Sequence, residues 1–152
     1  MKTYVLIISE NFPKKHKKSG EPTNFIQSIK DKTKKHTLRQ NYSLWEKRFD
    51  EINKGNACLS IRVWTGKPYR SSQKEVFNFV NTDGIGLEKY RRDLSSVVSK
   101  SGHRITTFSQ AVLAQNDGLE YSDFKDWFKG ANILQPLALI HFSGYRYQEE
   151  II

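Results

Sequence analysis

Between Ser43 and Trp64 the apolar residues stop recurring at helical spacing and begin to alternate, and this switch constrains the fold more than any other feature of the chain. Ser43 and Glu46 make an S-x-x-E capping box. Leu44, Trp45, Arg48, Phe49 and Ile52 follow at roughly helical intervals, and Gly55 supplies a stop. From Ala57 to Trp64, Leu59, Ile61 and Val63 alternate with Ser60, Arg62 and Trp64, which is the pattern of a strand. A helix that runs straight into a strand asks for a mixed architecture.

The flanking sequence extends that reading. Val5–Ile8 is a short apolar run that predicts a buried strand, and residues 11–22, basic and broken by Pro13, Gly20 and Pro22, predict a loop. Thr23 is placed to cap a short helix over Phe25, Ile26 and Ile29. Gly66 and Pro68 turn the chain, and Lys74–Val80 supplies a further strand. Residues 83–100 have no clean period. Thr107 opens a second box-like T-x-x-Q, and Phe124, Trp127 and Phe128 share one side of a helix. Pro136 introduces Leu137–Phe142, a strand too apolar for an exposed edge. Strands and helices do not alternate regularly, so the expectation is an α+β fold, a small closed or half-closed β-barrel with flanking helices, rather than a parallel sheet. At 152 residues the chain is expected to form a single domain.

The charge is lopsided, with 25 Lys and Arg against 16 Asp and Glu and a net charge of +9. That balance favours anionic partners, of which nucleic acid is the commonest. The excess gathers in the first third, at Lys14, Lys15, Lys17, Lys18, Lys30, Lys32, Lys34 and Lys35, a run that reads as a flexible, solvated patch. A single cysteine, Cys58, lies in an apolar strand and forms no disulfide within the chain, so a reducing, cytoplasmic setting is expected. His16, His36, His103 and His141 are scattered and make no ligand pair at metal-binding spacing, so no metal site and no cofactor are expected. The Tyr4–Ile8 stretch is short for a signal peptide and no segment reaches membrane-spanning length, so no membrane partner is expected.

The chemistry concentrates between Lys34 and Arg39, a K-x-x-T-x-R segment. In an extended conformation His36 and Leu38 face one way while Lys35, Thr37 and Arg39 face the other, with Lys34 curling in from the strand's start. A hydroxyl between cations suits a phosphate or a nucleobase edge. Trp45 and Trp64 flank this segment and are candidates to stack a base, with Tyr69 and Arg70 extending the surface. His36 and His141 read as inward-packing residues. Asp117, within Asn116–Gly118, reads equally as part of an ordinary turn between two helices.

These elements together resemble the ASCH family of the PUA-like superfamily. The resemblance rests on K-x-x-T-x-R, the tryptophan helix, the Trp64–Gly66 turn, and Asn116–Leu119 leading into Asp123, Phe124, Trp127 and Phe128. It closes on Ile140, His141 and Phe142 followed by Tyr145, Arg146 and Tyr147, and so spans about residues 25–147. It implies a PUA-like barrel and, as in many members, a role in binding RNA or modified nucleosides. The general G-x-K-x-x-E-x-R signature is altered, with Lys32 at the glycine and Thr37 at the glutamate, while Lys34 and Arg39 are kept. The threonine version is similar to small ASCH enzymes that hydrolyse N4-acetylcytidine through a lysine, a threonine and a later glutamate. The resemblance carries those roles to Lys34, Thr37 and Asp117, the last one methylene shorter. Three functional classes follow: an RNA- or nucleoside-binding module with a basic pocket, whose partner is RNA, a modified nucleoside or another anionic ligand; a small metal-independent amidohydrolase acting on acylated nucleosides; and a protein-interaction accessory domain.

Overall fold

The helix read first in the sequence is present as Tyr42–Asn53 (α2), with Trp45, Phe49 and Ile52 on its buried face. Its cap differs from the expected box. Asn41, in the left-handed conformation at φ 61°, is the N-cap, and its side chain accepts from the Leu44 amide. Asparagine tolerates that backbone because its short amide bonds locally, so it starts the helix ahead of Ser43. Gly55, at φ 79°, ends the turn as expected.

Residues 1–148 are described in this computed structural model. The remaining elements are β1 (Lys2–Ile7), α1 (Phe25–Lys30), β2 (His36–Arg39), β3 (Ala57–Trp64), β4 (Gln73–Phe79), β5 (Gly86–Arg91), β6 (Ser96–Val98), β7 (Arg104–Thr107), α3 (Gln110–Asn116), α4 (Tyr121–Trp127) and β8 (Leu137–His141). The fold is α+β. One sheet has the order β1-β3-β4 and the other β2-β8-β5-β6-β7, and the hydrogen-bonded ladders do not close the two into a barrel. β1 and β3 pair in parallel, so α1, β2 and α2 form the crossover between them; the other pairs are antiparallel.

β8 lies between β2 and β5, and its five residues are all buried, which is why its sequence is uniformly apolar up to His141. The stretch without a clear period contains β5, whose inward face carries Gly86, Glu88 and Tyr90. A glycine and a carboxylate on the buried side hide the alternation that a strand would otherwise show. Ser109, not Thr107, caps α3, and Thr107 belongs to β7. Asn24, not Thr23, is the N-cap of α1, although the Thr23 hydroxyl accepts from the Phe25 amide and donates to the Ser9 carbonyl.

The basic loop is more fixed than its composition suggests. Its Lys17 and Lys18 ammonium groups lie 3.5 and 2.7 Å from the Asp123 carboxylate, and His16 is buried with its Nε2 2.9 Å from the Asp123 carbonyl. The loop is therefore docked on α4. Among the described residues, no helix is long and apolar enough to cross a membrane.

Candidate functional site

β2 starts only at His36, so Lys34 and Lys35 precede the strand and are not bound by its alternation. Lys34 turns inward and Lys35 turns away. The Lys34 side chain is buried and its Nζ donates to the Asp117 carbonyl at 2.7 Å and to Asp117 Oδ1 at 3.3 Å. These two residues are 83 positions apart. Gly118, at φ +80°, makes the approach possible: a Cβ there would sit 3.2 Å from the Lys34 Cβ. The Phe25 ring lies 4.1 Å from the same ammonium and adds a cation–π contact.

Lys34, Thr37, Arg39 and Asp117 line one narrow pocket, walled by Phe25, Leu119, Trp127 and Phe128. Its volume of about 20 Å³ has room for roughly one water-sized group. Thr37 is buried at 4 % exposure and lines the same pocket. Burial pushes the Lys34 pKa down and Arg39 adds to that, while the Asp117 carboxylate opposes both. Arg39 is itself held by backbone oxygens, donating to Ile7 at 2.6 Å and to Leu38 at 3.2 Å.

Asp117 is oriented from behind. Asn116 Nδ2 donates to the Tyr147 hydroxyl at 3.0 Å, that hydroxyl lies 2.6 Å from His36 Nε2, and His36 Nδ1 lies 3.2 Å from Asp117 Oδ1. With the hydroxyl proton directed to Nε2, the imidazole is neutral and donates from Nδ1 to the carboxylate. Burial lowers the His36 pKa, which agrees with that state. Tyr147 is fixed in turn by Glu88, whose carboxylate accepts from the Tyr147 and Gln148 amides and from His141. Burial raises the Glu88 pKa, but these hydrogen bonds outweigh it and hold the carboxyl below its ordinary range.

The other predicted ligand residues divide. Trp64 and Tyr69, 5.2 Å apart, line a cleft of about 900 Å³ that shares Arg39, Ile8, Ser9 and Trp127 with the narrow pocket. Tyr69 is 89 % exposed and adopts φ 64°. Trp45 does not take part: its α2 position places it in the core at 6 % exposure, beneath the Arg48 guanidinium. Lys35 is outside the pocket, its ammonium 4.3 Å from the Tyr145 ring, because its backbone is fixed by Asn116 and Phe142. Arg70 is exposed in the β3–β4 turn and lines neither space.

Trp127 and Phe128, which the sequence pattern places on one side of a helix, both wall the pocket. The sequence marks His36 as inward-facing but not as the partner of Asp117. No local spacing signals either contact, since each joins distant segments. Among the described residues, no cluster of three or more His, Cys, Asp or Glu side chains is placed to hold a metal ion. No family model, curated protein or solved structure matches the chain.

Proposed function

We propose that this protein is an ASCH-like module with a PUA-like, half-closed arrangement of its two sheets, and that it binds a nucleobase or modified nucleoside, free or within RNA. The single observation behind this reading is the convergence of Lys34, Thr37 and Arg39 with Asp117 on one pocket. Size divides the labour between the two spaces. A pocket that admits one water-sized group takes the oxygen at the tip of an exocyclic acyl substituent, and the adjoining cleft, with Trp64 and Tyr69, takes the rest of the nucleoside. Arg39, at the junction, faces an anionic or carbonyl oxygen.

The lowered pKa of Lys34 and the Thr37 hydroxyl in the same pocket favour a second reading, hydrolysis of an N-acylated nucleoside such as N4-acetylcytidine. In that reaction the fraction of Lys34 that is neutral, favoured by burial and opposed by the Asp117 carboxylate, takes the Thr37 proton as the hydroxyl oxygen attacks the acyl carbon. The carbon–nitrogen bond then breaks, the amine leaves with the proton, and water cleaves the acyl-threonine ester to regenerate the hydroxyl. Asp117 positions the lysine.

Calorimetric titration of cytidine and N4-acetylcytidine, with chromatography of the products, tests both readings. Thr37→Val is expected to weaken binding of the acetylated nucleoside by about tenfold, the value of one lost hydrogen bond, and to abolish any turnover without lowering the Tm. Unchanged affinity in that variant would remove the pocket from recognition. Saturable binding without product would leave the recognition reading and end the hydrolytic one.

A further inference from the structure

A second groove runs along the opposite side of the Lys34–Lys35 segment, between the end of α1, strand β4 and the residues after β8. It encloses about 320 Å³; Lys30, Lys32, Lys35, Phe77, Phe79, Phe142 and Ser143 line it, and Lys34 is shared with the nucleoside pocket. Among the described residues, no acidic side chain lines it. The Phe77 and Phe79 rings, two residues apart on β4, are stacked with centroids 5.5 Å apart and planes 9° from parallel, and both stay partly exposed. Cations beside partly exposed aromatic faces are the combination that holds a nucleic-acid backbone while bases stack.

Lys32 adds an independent observation. It sits at φ 64°, a left-handed conformation that favours glycine and disfavours a long side chain. It is exposed, so packing does not explain a lysine there. The left-handed turn ends α1, the Lys32 amide bonding to the Ile29 carbonyl, and leaves the Lys32 side chain exposed at the rim of the groove.

We propose that this groove is a track for single-stranded RNA, with phosphates on Lys30, Lys32 and Lys35 and bases against Phe77 and Phe79. Ser143 supports ribose over deoxyribose. Its Oγ accepts from the Tyr145 amide at 3.4 Å, which leaves the hydroxyl proton free for a 2′-hydroxyl. The track meets the nucleoside pocket only at Lys34, and together they would hold a strand while one of its bases is inspected.

The test is fluorescence anisotropy with a labelled oligouridylate of about twelve nucleotides, wild type against variants, over a salt series. Removing one phosphate contact lowers the slope of log K against log salt by about 0.7, so Lys32→Gly is expected to lose about eightfold in affinity at about 50 mM salt and about threefold at about 200 mM. Its Tm is expected to hold or rise, because glycine relieves the left-handed backbone. Phe79→Leu keeps an apolar side chain but removes the ring, and is expected to cost at least about fivefold. The deoxy oligomer is expected to bind more weakly than the ribo oligomer, and Ser143→Ala to erase that difference. Lys32→Gly is expected to leave the calorimetric affinity for N4-acetylcytidine unchanged, which separates failure of the track from failure of the pocket. Wild-type affinity and salt slope in Lys32→Gly and Phe79→Leu would overturn the proposal, and equal binding of the deoxy oligomer would overturn its assignment to RNA.

Discussion

Asp117→Asn isolates the electrostatics of the pocket. Asparagine keeps the size and can still accept from Lys34 and His36, but it removes the carboxylate 3.3 Å from a buried ammonium. Breaking one side of a buried ion pair costs about 3–5 kcal/mol when the other charge stays in place. Lys34 has an escape, which is to release its proton. With an unfolded lysine titrating near 10.4, holding the amine neutral at pH 7 costs about 4.6 kcal/mol, falling to about 1.9 kcal/mol at pH 9. The two routes have similar costs at neutral pH, so a loss of roughly 3–5 kcal/mol is expected there. Once the lysine is neutral in the folded state and charged in the unfolded state, unfolding takes up a proton and stability rises with pH. Urea unfolding of wild type and variant at pH 7, 8 and 9 reads this directly. The gap is expected to narrow by about 1.4 kcal/mol per pH unit once the neutral form dominates. A pH-independent gap, or one below about 1 kcal/mol at pH 7, would refute the idea that Asp117 holds the proton on Lys34.

Two further perturbations test the supports of the site. Gly118→Ala places a methyl group in left-handed backbone and 3.2 Å from the Lys34 Cβ, so a loss of about 1–2 kcal/mol and a Tm drop of roughly 2–6 °C are expected together with weaker nucleoside binding; an unchanged Tm would contradict the close approach. His141 is buried with its pKa lowered to about 4, chiefly by desolvation, so it stabilises the neutral-pH fold fully above about pH 6.5 and progressively less as the pH falls towards 4. Thermal melts across that interval are expected to show a falling Tm in wild type and a shallower fall in His141→Gln; identical slopes would place the acid sensitivity elsewhere.

The parts of this protein legible in its sequence are those where a single physical demand acts. β3, β8 and α2 each bury one continuous set of apolar residues, so period and length identify them. Lys34, Thr37 and Asp117 were marked by resemblance, and they meet because Gly118 lets the α3–α4 turn close on the lysine. The misread positions are those with competing demands. Lys35 was placed with Thr37 by an alternation that does not reach back beyond His36. Nearness to the basic segment marks Trp45 as a stacking candidate, but helical phase carries it into the core. Glu88 was hidden because a buried carboxylate within a strand looks polar and irregular until the Tyr147 and Gln148 amides and His141 are brought to it. Local spacing cannot reveal partners that arrive from so far along the chain.

The most direct measurement is a crystal structure of the protein soaked with N4-acetylcytidine. The acetamide oxygen is expected at the narrow pocket, within hydrogen-bonding distance of Thr37 Oγ1 or Lys34 Nζ, with the pyrimidine in the cleft beside Trp64 and Tyr69. Nucleoside bound elsewhere on the protein, with the Lys34–Thr37–Asp117 pocket untouched, would contradict the account.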